Sequence, residues 1–315
     1  MTFWFKLLNL TDGGFIMKKK MIKAIVLVFV FSFGLKGGEV TSESVIEKDR
    51  KLNAAKIEKL SAQHGNAETF VKLGQIAKEY NLMIGIDKFS IGEKAKKQPK
   101  AYGGSYRWKF LTSKDSDILE KYVAGFNAGW AKLPPEFVSK VKLKAIVFVK
   151  ELTFAGFPVG GGFGLEDMIL FINVLAPFPG EDYVQHIYFH EFFHILQNKF
   201  HGFLDYKKWA ALNEKNEPYY PGGAMAMIRD HKMDPGYFFK EYTTKGFVNN
   251  YARSDVYHDV TETYCYLMIT PFYNRALTWM KKDSILEAKM LYLKQSLQSI
   301  HEHFNTEYFN SIHNQ

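Results

Sequence analysis

The chain has 315 residues, 47% of them apolar and 23% charged, which is enough for one substantial core with a small annex. Its net charge of +8 comes largely from residues 1–37, which hold six lysines and one aspartate; without them it is +3. No basic stripe with interleaved aromatics marks a nucleic-acid surface, and the single cysteine, Cys265, excludes an internal disulfide and a thiolate metal cluster.

Met17 to Gly34 reads as a signal peptide, with a basic start, a short apolar run from Ala24 to Phe33, and small residues at Ser32 and Gly34 for cleavage. The run is short for a membrane span, so an uncleaved anchor is the alternative. No lipobox cysteine stands just after it, which excludes a lipoprotein. Residues 1–16 do not suit the front of a leader and are read as a start-site artefact ahead of Met17 or Met21. A charged, helix-prone annex follows at 38–84, expected as a helical pair from Glu39 to Leu82, and then a Gly- and Lys-rich linker at 85–104.

From 105 to 315 the pattern is that of one mixed domain. Asp115 to Trp130 is predicted as a helix capped by Ser113 or Ser116, with Pro134-Pro135 ending the segment. Residues 144–151 form a strand, Gly156 to Gly164 (five glycines) a loop, and Asp167 to Val174 the next strand. The glycine run lacks the Lys-Ser/Thr of a phosphate loop. A long apolar stretch runs from Tyr183 to Phe200. The chain is then irregular up to Tyr251, with turns at Tyr219 to Gly223 and Asp234 to Gly236. A second buried helix is expected from Tyr257 to Ile269, and a closing helix over 284–310 with Leu286, Met290, Leu293 and Leu297 on one face.

His190-Glu191-Phe192-Phe193-His194 lies inside the apolar stretch. On a helix, positions i and i+4 share a face, so His190 and His194 can grip one metal ion while Glu191 falls beside the open position as a general base. His186 is one turn earlier, but the helix rises about 12 Å from His186 to His194, so all three cannot converge. The metzincin pattern fails too, because Gln197 and Phe200 stand where it needs glycine and histidine. The better candidate for a third ligand lies downstream, in Gly246 to Met268, where His258 and Glu262 lie one turn apart and share a face. His258 is the favoured ligand; Asp259 and Glu262 remain alternatives. Cys265, within a run of Tyr, Leu and Met, reads as core.

This block resembles the gluzincin-like catalytic domains of the anthrax lethal factor type. It is more similar to the zinc-binding metallopeptidases exported by bacteria, whose pattern runs roughly Y-A-x-x-N-x-x-E-D-x-A-E. Tyr251-Ala252 matches the Tyr-Ala, Asp259 the Asp and Glu262 the final Glu, while His258 stands where the family has its liganding Glu. Trp209 to Asn213 with Pro218 resembles the W-x-x-L-N-P segment between the two metal helices. Leu143 to Lys150 and Met168 to Val174 resemble the two strands before the first helix, so the likeness covers about 105–300.

The resemblance implies an α+β, zincin-like fold: a mixed sheet, the HExxH helix and a second metal-binding helix, with an edge strand along the cleft able to pair with an extended substrate. It implies a zinc hydrolase acting on a peptide or protein substrate. His190, His194 and His258 would be the ligands and Glu191 the base. The Tyr251 hydroxyl would face the metal and Glu262 would orient a histidine. Export implies a periplasmic or secreted protein with no nucleic-acid partner and membrane contact only through an uncleaved leader. The rival expectation, prompted by His258 at the Glu position, is an inactive envelope protein of the same fold that binds a peptide or glycan.

Overall fold

The computed structural model describes residues 53, 57, 67–86, 100–101, 104–164, 168–176, 181–232 and 234–314, all within one compact unit spanning Glu47–Gln315. The leader, and all of the expected helical pair except Asn53, Ile57 and its last helix, lie outside the described residues. Helix α1 (Ala67–Glu79) leads into strand β1 (Met83–Gly85), and β2 (Lys100–Ala101) into β3 (Gly104–Phe110). The segment read as annex and linker therefore supplies strands. Phe70, Leu73, Ile76, Leu82 and Ile84 are buried in the main core, because α1 is apolar on the face it turns to the sheet.

A 3-10 turn (Ser113–Asp115) precedes α2 (Ser116–Trp130). Asp115 occupies the N-cap position, in place of either serine expected there. Its carboxylate accepts from the Thr112 N–H at 2.7 Å and from Lys150 Nζ at 2.7 Å. Pro135 opens a further helix, α3 (Pro135–Val141), where its missing N–H costs nothing.

Strand β4 (Ala145–Phe154) is central. It pairs in parallel with β1 and β7 (Ile169–Asn173), and antiparallel with β3 and with β5 (Phe157–Pro158). Strand β6 (Gly161–Gly164) pairs antiparallel with β7 and ends the order β2-β3-β4-β7-β6. The glycine run read as a loop thus holds two strands, and the end strand on the helix side is β6 rather than the segment around 167–174. Alternation explains the layering: Ile146, Phe148, Leu170 and Ile172 face the helices, and Ala145, Val147, Val149, Ile169 and Phe171 face Tyr106 and Trp108.

The HExxH segment is the long helix α4 (Glu181–Lys199), whose middle, Val184 to Leu196, is buried on every side except at the half-buried Glu191 and His194. It packs on α2 so closely that a Cβ on Gly129 would lie 1.2 Å from the Tyr188 hydroxyl oxygen. The irregular stretch that follows contains α5 (Tyr206–Ala210), α6 (Gly223–His231), α7 (Pro235–Phe238) and a 3-10 turn (Tyr251–Arg253). Next come α8 (Val256–Met268) and α9 (Thr270–Met280). The closing helix is broken into α10 (Ser284–Ile300) and α11 (Thr306–Ser311), the second capped by Asn305. The fold is α+β with a mixed sheet. No helix among the described residues is long and apolar enough to cross a membrane.

Candidate metal centre

Helix α4 presents His190 and His194 on one face, and their Nε2 atoms stand 3.1 Å apart. Helix α8 crosses it and adds His258, with ring centroids 5.7 Å from His190 and 5.2 Å from His194. The three imidazoles place ligating nitrogens within 4.8 Å of one another, so together they could hold a metal ion. His186 stays out of this triangle, as the helix rise requires.

Each of the three rings is oriented through Nδ1. His190 Nδ1 donates to Glu262 Oε1 at 2.7 Å, His194 Nδ1 to Gln197 Oε1 at 2.8 Å, and His258 Nδ1 to Asp255 Oδ2 at 2.9 Å. An ionised carboxylate and an amide oxygen can only accept, so in a neutral ring each bond selects the tautomer with its proton on Nδ1 and its lone pair on Nε2. This is the outer-shell arrangement that orients metal-binding histidines. Burial lowers the pKa of His190 to about 4, against the pull of Glu262. Burial and the neighbouring imidazoles place His194 well below the usual histidine range. Both rings are therefore neutral near pH 7, as ligands must be.

Glu262 is fully buried, which disfavours its charge. His186, bonded at 2.9 Å, and His190 outweigh that cost and hold the carboxyl well below the usual range. Asn249 Nδ2 gives Glu262 a third donor at 2.5 Å, and Asn249 Oδ1 accepts from the Ala252 N–H at 2.8 Å, tying the turn that carries Tyr251 to the same carboxylate. Asp255 caps α8 through the N–H groups of Tyr257 and His258, so one residue starts the helix and holds its histidine.

Asp259 is not a ligand in this arrangement. It is fully buried on another side of α8, and its Oδ2 accepts from Trp209 Nε1 at 2.9 Å, Tyr219 hydroxyl at 2.8 Å and Lys289 Nζ at 2.7 Å. Cys265 is buried, its Sγ donating to the His186 carbonyl at 3.8 Å, and burial pushes its thiol well up, away from thiolate chemistry. Arg253 is a third exposed and lies 3.7 Å from Glu217.

Glu191 sits next to the triangle under strand β6, where a Cβ on Gly161 would come within 2.6 Å of Glu191 Cγ. Phe163, two residues on, lies over His194 with ring centroids 5.1 Å apart. Burial, with a contribution from Glu262, raises the pKa of Glu191 to about 8. A divalent cation held by the triangle would oppose both effects and favour the carboxylate. Tyr251 stacks on His190 at 5.7 Å and 13°, and its ring lies 4.6 Å from His258. Its hydroxyl is held well above the usual range by burial and then by Glu262, so it remains a donor.

Four supporting roles escaped the sequence reading, those of Asp255, Gln197, Asn249 and His186 as hydrogen-bond partners within the site. Asp255 carried a signal, an aspartate just ahead of an apolar helix. Asn249 carried none. Comparison of the chain with family models, curated proteins and solved structures gave no match.

Proposed function

We propose that the chain is an exported zinc-dependent metallopeptidase with a zincin-like catalytic domain. The observation that carries this reading is the triangle of His190, His194 and His258, each with Nδ1 spent on an acceptor, beside a half-buried Glu191 under strand β6. Three imidazoles with Nε2 lone pairs suit Zn²⁺, and a structural site of that kind has no use for a carboxylate beside it. The basic and apolar pattern from Met17 to Gly34 supports export to the periplasm or beyond.

Zinc, when bound, supplies positive charge that polarises a water and the scissile carbonyl. Glu191 takes a proton from the attacking water at a carboxylate oxygen and returns it to the leaving amine nitrogen. The Tyr251 hydroxyl donates a hydrogen bond to the carbonyl oxygen as charge builds on it, an effect worth a few kcal/mol for one well-aimed donor. Glu262 holds the proton on His190 Nδ1 throughout. Strand β6, narrowed by its glycines, brings main-chain amides close to Glu191, which supports an extended peptide as substrate.

The test has two arms. Elemental mass spectrometry of the wild-type chain should find one zinc, lost in His194→Ala and His258→Ala and retained in Asp259→Asn. No zinc in the wild type after zinc is supplied would favour a binding protein of the same fold. Glu191→Gln should keep the metal and lower peptide hydrolysis by about 10² to 10⁴. Unchanged hydrolysis would remove Glu191 as the base.

A further inference from the structure

A cavity of about 280 Å³ borders the histidine triangle through His186 and Asn249, which both bond Glu262. Its walls are mainly rings: Tyr183 and His186 from α4, Phe239 just after α7, Tyr266 from α8 and Phe272 from α9. The rings already meet as partners for one another, with Tyr183 and Phe239 edge-on at 5.4 Å, His186 and Phe239 edge-on at 5.1 Å, and Tyr266 and Phe272 tilted at 4.8 Å. A volume of this size takes one large side chain.

The polar groups on the wall are largely committed elsewhere. Glu241 accepts from the Tyr266 hydroxyl at 2.7 Å and is matched by Arg275 at 2.9 Å. Asn249 spends its amide on Glu262 and its oxygen on Ala252. His186 spends Nε2 on Glu262. Among the described residues that line it, each carboxylate has a partner, and an apolar ring finds edges and faces to pack on.

The cavity also has a continuous wall toward the cleft. On successive turns of α4, Glu191 lies against Gly161, Ile187 against Gly160 and Gly161, and the Tyr183 hydroxyl within 3.3 Å of the Cβ position of Gly160. Tyr183 is therefore both the end of the cleft floor beneath β6 and a wall of the cavity.

We infer that this cavity is a specificity site that receives an aromatic side chain of the peptide lying along β6. The occupant rests on the peptidase reading; the ring-binding property does not. The cavity is also wired to the metal centre, because His186 and Asn249 on its wall both bond the carboxylate that holds His190.

Binding can be measured without catalysis. N-acetyl-phenylalaninamide titrated into the wild-type chain and followed by NMR should bind with a Kd on the order of 1 mM, and N-acetyl-alaninamide should not. Gly236→Leu, which adds bulk where a Cβ meets only Asp234, should weaken it at least tenfold with thermal unfolding unchanged, and Phe272→Ala, which removes a wall, should weaken it as much while lowering the unfolding temperature. Equal binding of both amides, or binding unaffected by Gly236→Leu, overturns the site.

A mixture of unrelated peptides, digested with the zinc-loaded chain and sequenced at the cut ends, tests the occupant. Cuts clustered at a fixed distance from aromatic residues, and dispersed by Gly236→Leu, support it. Cuts without aromatic preference overturn it. No hydrolysis, with amide binding intact and abolished by Gly236→Leu, supports the ring site and sinks the peptidase reading instead.

Discussion

Helix α8 carries two fully buried carboxylates three residues apart, and they are satisfied in opposite ways. Glu262 collects two imidazoles and an amide, with no lysine or arginine among its partners, and one of the imidazoles belongs to the histidine triangle. Asp259 collects a cation, the fully buried Lys289 of α10, together with an indole and a phenol from the stretch between α4 and α8. Burial pushes both Asp259 and Lys289 toward their neutral forms, and each one's charge holds the other back. Lys289 Nζ also donates to the Gly246 carbonyl at 2.6 Å, so the pair fastens α10, the loop before Tyr251 and the Trp209 and Tyr219 segment onto the back of α8. One carboxylate is coupled to the site and the other to assembly, although a single turn of helix separates them.

The largest effect that follows is on stability. Lys289→Met leaves Asp259 buried without its cation, and breaking a buried pair from one side costs about 3 to 5 kcal/mol. Urea denaturation should show that loss, with zinc stoichiometry unchanged at low temperature. The double variant Lys289→Met with Asp259→Asn should recover much of it, because no lone charge remains. A loss below about 1 kcal/mol for Lys289→Met would mean that water reaches this pair, and the contrast with Glu262 would collapse.

Glu262→Gln should do the reverse. The amide keeps the volume and one acceptor, so unfolding should change less than for Lys289→Met. It no longer enforces the proton on His190 Nδ1, and loss of such an outer partner lowers metal affinity about 10- to 100-fold. Competition with a chromophoric chelator would read this directly. Affinity unchanged within twofold would assign Glu262 to packing, like its neighbour.

The two clusters were unequally legible in the sequence. His190, Glu191, His194 and the His258 to Glu262 block stand out because i, i+3 and i+4 spacings put ligands and their holders on shared helix faces. What separates Asp259 from Glu262 is supplied by Lys289, thirty residues on, and by Trp209, fifty back, and no local pattern announces partners at that range. Strand β6 was misread for a related reason. Glycines at 160–162 read as loop punctuation, yet they are there because Ile187, Glu191 and Tyr106 occupy the space their side chains would need. The break between α10 and α11 was hidden by apolar spacing that continues through it, with Phe304 and Phe309 both buried. The strand β1 was hidden by its length of three residues.

The smallest effect belongs to the third way of holding a ring. His194 Nδ1 bonds a neutral amide, Gln197 Oε1, one turn along its own helix, and Gln197 Nε2 reaches the Tyr257 carbonyl at the start of α8 at 3.2 Å. A neutral acceptor polarises an imidazole less than a carboxylate does, and the net worth of such a bond is about 0.5 to 1.5 kcal/mol. Gln197→Leu should therefore weaken metal binding only about two- to tenfold, less than Glu262→Gln, under the same chelator competition. His194 keeps a second restraint in that variant, since Phe163 still covers its ring from β6. A loss as large as that of Glu262→Gln would show that the acceptor's charge is irrelevant and that ring orientation alone matters. The difference between the two carboxylates of α8 would then be one of geometry rather than electrostatics.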